Sequence, residues 1–148
     1  MKTTVELVYF YMNNCPWCMR FDPSWNTLSE NLDKFKFYKI EANEMNTPDA
    51  KKIIKEYGSE PNGFPTILIK VNDIFARYMN EDRTPKAIIE FIINLTTDSS
   101  IKEYLSDKIK KIEQTGGENN VDYRNKYKKY KKMYAELAIK YNDLKKLN

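Results

Sequence analysis

Apolar and polar positions divide the chain into short strand-like runs and longer helix-like runs. Val5 to Met12 is almost continuously apolar or aromatic and reads as a strand buried on both faces. Asn13 and Asn14 form a turn. Pro16 suits the first position of a helix, where its missing N–H is not needed. That helix runs to about Leu32, with Phe21, Trp25, Leu28 and Leu32 at helical spacing and Pro23 inside it. Phe35 to Ala42 reads as a second strand. Thr47, Pro48 and Asp49 open a helix that Gly58 closes. Thr66 to Val71 and Ile74 to Met79 are two strands joined by a two-residue hairpin at Asn72 and Asp73. Arg83, Thr84 and Pro85 open a further helix through Leu95. The order β-α-β-α-β-β-α predicts an α/β domain: a mixed, mostly parallel four-stranded sheet, flanked by helices, with the hairpin as its antiparallel edge.

Beyond residue 96 the pattern changes. Asp98, Ser99 and Ser100 cap an additional helix over 97–114, and 115–121, with Gly116 and Gly117, reads as a linker. Residues 122–148 read as one long helix. Tyr123, Tyr127, Tyr130, Tyr134, Leu137, Tyr141 and Leu144 are spaced alternately four and three apart, a coiled-coil seam. Arg124, Lys126, Lys128, Lys129, Lys131 and Lys132 surround its first half. The expected uses are homodimerisation through residues 123–147, or docking of an acidic protein or anionic surface; nucleic acid is a weaker expectation.

Charge changes the picture in one respect. Residues 122–148 hold nine Lys or Arg against three Asp or Glu, while 1–121 hold 16 against 18. The net +4 is therefore a property of the tail, and the body carries no basic stripe. No stretch approaches the 18 or so apolar residues of a membrane span. Met1 to Thr4 lead into the first strand without the apolar region of a signal peptide, so the expected compartment is the cytoplasm.

The chain has no histidine, which removes Ser/His and Cys/His catalytic pairs and imidazole zinc sites. Its two cysteines stand together in Cys15-Pro16-Trp17-Cys18. A C-x-x-C between a buried strand and a helix start has a physical use. The helix N-terminus supplies unpaired N–H groups and a partial positive charge, both favouring the thiolate that does thiol chemistry. Cys15, at the helix mouth, is the expected exposed nucleophile. Cys18, one turn on and facing inward, is placed to resolve a mixed disulfide. A purely structural disulfide across so short a loop would remove little chain entropy. No metal or organic cofactor is expected.

These residues give the chain a resemblance to the thioredoxin superfamily, closest to thioredoxins and the catalytic domains of protein disulfide isomerases. It covers Val5 to about Leu95, a thioredoxin-like domain over 1–96, and rests on the strand before the cysteines, the C-x-x-C, Pro23 five residues after it, and Gly63-Phe64-Pro65-Thr66 before the hairpin. Similar stand-alone domains occur in large DNA viruses, and the Lys- and Asn-rich composition suits that origin. The resemblance implies a thiol–disulfide oxidoreductase acting on protein thiols and disulfides. It also implies that Pro65 is cis and packs against the cysteine pair, and that Phe64 offers its backbone to an extended substrate. Trp17 is a candidate substrate contact. The family's buried carboxylate, six positions before the first cysteine, is replaced here by Tyr9. Lys39 fits the family's buried lysine, a candidate for proton transfer, but without its usual carboxylate partner. Two other readings compete: a non-catalytic interaction module recruited or oligomerised by its C-terminal helix, and a glutathione-dependent glutaredoxin.

Overall fold

The computed structural model describes residues 2–115. The expected linker over 115–121 and helix over 122–148, with the Tyr/Lys seam, lie outside them except for Thr115. The elements are β1 (Val5–Tyr11), α1 (Pro16–Asn31), β2 (Lys36–Glu41), a 3₁₀ turn (Ala42–Glu44), α2 (Pro48–Tyr57), β3 (Thr66–Val71), β4 (Ile74–Arg77) and α3 (Pro85–Leu95). A last helix, α4, starts at residue 99 and continues to 115. Each of α1, α2 and α3 begins with a proline. The residue before it is the cap in each case. Thr47 Oγ1 accepts the Ala50 N–H and Thr84 Oγ1 the Ala87 N–H, each at 3.3 Å. Gly58 ends α2 in the left-handed conformation at φ 62°, where a side chain would be strained.

The sheet order is β2-β1-β3-β4. β1 and β2 pair in parallel, whereas β1–β3 and β3–β4 are antiparallel. The expectation of a mostly parallel sheet is thus corrected. The loop after α2 returns the chain to the end of the sheet where β1 finishes, so Thr66 at the start of β3 lies opposite Phe10. This reversal brings Gly63 to Pro65 to the same end as the cysteines.

β1 is the central strand, and its alternation feeds two cores. Leu7 and Tyr9 pack with Phe21, Trp25 and Leu28 of α1, Ile67 and Ile69 of β3, and Ile88, Ile89 and Ile92 of α3. Val8 and Phe10 face the other way, onto Ile40, Leu68, Ala50 and Tyr57. α4 joins the first core: Leu105 is fully buried within it, and Ile101, Tyr104, Ile109 and Ile112 pack against the same core. The Tyr104 hydroxyl also donates to Asp33 at 2.8 Å. Residues 1–114 accordingly form one compact unit. Among the described residues, no helix is long and apolar enough to cross a membrane.

Candidate active site

Cys15 caps α1. Its sulfur accepts the Cys18 N–H at 3.4 Å, and its own N–H donates to the Met12 carbonyl at 3.3 Å. The left-handed Asn14, at φ 64°, makes the tight step from β1 into the cap. Both cysteines are free thiols, one helical turn apart. On the opposite side the Cys15 thiol donates to the Phe64 carbonyl at 3.7 Å, and the Phe64–Pro65 peptide bond is cis. Thr66 Oγ1 donates back to the Gly63 carbonyl at 2.6 Å, closing this loop. Arg77 of β4 braces it from below, with hydrogen bonds to Ser59 Oγ, the Glu60 carbonyl and Asn62 Oδ1.

The structure therefore brings Cys15, Cys18, Phe64 and Pro65 together. It also changes one expectation. Cys15 is 5% exposed against 2% for Cys18, because the Phe64 loop lies over the helix mouth. Cys15 is the more open residue by only a small margin. Trp17, by contrast, is 47% exposed, with the Arg20 guanidinium 4.7 Å from its ring centroid. Trp25 belongs to the core, 5.2 Å from the Phe37 ring and 5.3 Å from the Tyr9 ring.

Beneath Cys18 lies a polar cluster that only partly follows from the sequence. Tyr9 is fully buried, its ring edge-on to Phe21 at 4.8 Å. Its hydroxyl reaches the Cys18 carbonyl at 3.0 Å and donates to Asp22 Oδ1 at 2.8 Å. Lys39 extends from β2 over the rings of Tyr11 and Tyr9, and its Nζ is 3.8 Å from Asp22 Oδ1. The usual partner position holds Tyr9, and Asp22 of α1 supplies a carboxylate in its place; Lys39 is exposed here, which corrects the expectation of a buried lysine. Asp22 was missed because it sits outside the family's position for this acid. Its spacing carried the signal, since Cys18 and Asp22 are four apart and share one helix face.

Burial pushes the Cys18 thiol well above the usual thiol range, and its hydrogen bond with Cys15 adds to this; hydrogen bonds from the Met12 backbone and the Tyr9 hydroxyl oppose it. Tyr9 is likewise held neutral, first by burial and then by the hydrogen bond to Asp22. Among the described residues no group of three metal-ligating side chains forms.

A mixed sheet whose central strand runs into a helix capped by C-x-x-C, facing a cis-proline loop, defines a thioredoxin-fold domain with a vicinal dithiol. Residues 1–94 match the thioredoxin family model, and the chain belongs to that family. Solved structures similar to it include the J-Trx1 fragment of ERdj5 (19% identity, TM-score 0.47, 62% of this chain and 41% of that one). Thioredoxin-2 of the malaria parasite is similar at 21% identity and TM-score 0.47, over 62% of this chain and 84% of that one. Human ERp44 matches at 20% identity and TM-score 0.47, over 64% of this chain and 28% of that one. The chain thus spans less than half the length of the ERdj5 fragment and of ERp44. No curated protein matches this sequence.

Proposed function

We propose that the protein is a thiol–disulfide oxidoreductase acting on protein substrates. The observation that carries this reading is the pairing of two free thiols across one turn of α1, with the Cys15 sulfur held by the Cys18 N–H and set against the Phe64 carbonyl beside Pro65. As a reductant, the Cys15 thiolate attacks a substrate disulfide, and one substrate sulfur leaves as a thiolate. Cys18, deprotonated, then attacks the Cys15 sulfur. The second substrate sulfur leaves, and Cys15–Cys18 is oxidised by two electrons. The reverse sequence oxidises a substrate dithiol. Phe64 offers backbone for an extended substrate segment, and exposed Trp17 an apolar contact at its side. The second thiol partner that restores the pair is a further protein or small thiol.

The test is turnover of a small disulfide-bonded protein in the presence of dithiothreitol. Wild type accelerates reduction over dithiothreitol alone. Cys15→Ser abolishes the acceleration and Cys18→Ser traps a mixed disulfide. Equal rates with wild type and Cys15→Ser would refute the reading. Dependence on glutathione in place of dithiothreitol would move the chain to the glutaredoxin class.

A further inference from the structure

Resolution of the mixed disulfide requires Cys18 to lose a proton in a place that disfavours its thiolate. Position 9, where a carboxylate would take that proton, is a phenol, and a phenol has no use as a base near neutral pH. The structure supplies a carboxylate one group further away. Tyr9 is held in one orientation by the rings of Phe21 and Trp25; its hydroxyl bonds the Cys18 backbone carbonyl at 3.0 Å and Asp22 Oδ1 at 2.8 Å, and it also interacts with the Cys18 side chain. We propose that Tyr9 and Asp22 together form the proton route of Cys18, Tyr9 accepting the thiol proton as it passes its own to Asp22.

This inference rests on the oxidoreductase reading and deepens it. The step balances as follows. In the Cys15–substrate mixed disulfide, the Cys18 S–H proton goes to Tyr9 Oη, and the Tyr9 hydroxyl proton goes to Asp22 Oδ1. The Cys18 sulfur forms a bond to Cys15 Sγ, and the Cys15–substrate S–S bond breaks with its electron pair on the substrate sulfur. The substrate is reduced and the cysteine pair oxidised. Tyr9 ends neutral, as it began, so burial costs it nothing in the resting states. Asp22 is 37% exposed in its side chain, so the proton can leave to water or to the departing thiolate.

The neighbouring charges support this assignment. Asp22 faces Tyr9 and Tyr11 from β1 and Lys39 from β2. Lys39 fixes the carboxylate toward the Tyr9 hydroxyl. The other carboxylate at this end, Glu41, is buried, but its two oxygens accept the backbone N–H groups of Asn13 and Asn43 at 3.4 and 2.5 Å. It is committed to holding the loop.

The two steps separate with 5,5′-dithiobis(2-nitrobenzoate) in stopped flow. Attack by Cys15 releases one yellow thiolate, and resolution by Cys18 releases the second. Asp22→Asn and Tyr9→Phe keep the shape of each side chain. Both are expected to leave the first phase within about twofold of wild type and to slow the second about tenfold or more at pH 7. The deficit should close as pH rises and hydroxide takes over deprotonation, a signature that a merely structural role would not give. An unchanged second phase, or a slowing of the same size at every pH, overturns the relay. Tyr9→Phe sits in the core; should it fail to fold, Asp22→Asn at the surface decides alone. A wild-type protein with a first phase but no second overturns the oxidoreductase reading and the relay with it, whereas two normal phases in wild type and variants remove the relay only.

Discussion

The thioredoxin match ends at residue 94, yet the first core continues into α4, and Leu105→Ala tests that extension. Leu105 is fully buried, at 0% exposure, so the substitution removes its packing and leaves a cavity. Buried Leu→Ala changes cost about 2–5 kcal/mol. A domain of this size is stable by about 5–15 kcal/mol, so a loss of about 3 removes a fifth or more. At a urea slope of about 2 kcal/mol per M, the unfolding midpoint falls by about 1.5 M. Urea titration followed by tryptophan fluorescence reads this directly, since Trp25 is buried in the same core. Met79→Ala, at a side chain 78% exposed, is the control and changes stability by less than about 0.5 kcal/mol. A Leu105→Ala midpoint within about 0.3 M of wild type would refute the claim that α4 is integral to the domain.

Two other perturbations read different parts of the molecule. Hydrogen bonds from Thr3 and then Ser100 hold the Asp98 carboxyl down to about 2. Its folded value lies below its unfolded one, so its stabilising effect is full above about pH 4 and is lost as pH falls through about 2. Thermal melts across that window should show an acid-dependent loss that Asp98→Asn reduces; identical pH profiles would refute it. Trp17→Ala should leave the unfolding midpoint nearly unchanged but raise KM for a disulfide-bonded protein several-fold, with little effect on a small-molecule disulfide. Equal effects on both substrates would show that Trp17 is not a substrate contact.

Much of the fold is written locally. Proline at the first position of α1, α2 and α3 marks each start, and Gly58 marks the end of α2, which takes a left-handed residue. The apolar run of β1, interrupted only by Glu6, announces a central strand buried on both faces. The C-x-x-C and the Gly63-Phe64-Pro65-Thr66 loop are legible because each depends on adjacent residues. What escapes depends on distant ones. The direction of β3 is set by where the 58–65 loop re-enters the sheet, and nothing within that strand encodes it. The cover over Cys15 comes from a carbonyl 49 residues away. Asp22 meets Tyr9 and Lys39 only because α1 packs across β1 and β2, so position 9 of β1, where the family's acid would stand, does not reveal it. The start of α4 is legible in its Asp98-Ser99-Ser100 cap, but its docking is not, because the core that Leu105 joins is built from α1, β3 and α3.

The central claim is that Cys15 and Cys18 act as one redox couple. Its most direct measurement is the extent of alkylation of the two thiols after equilibration in graded glutathione buffers, resolved by mass. The account predicts a single two-electron transition from dithiol to Cys15–Cys18 disulfide, at a potential between about −270 and −120 mV. Thiols that stay reduced across that range, or that go only to a glutathione adduct without closing the pair, would contradict it.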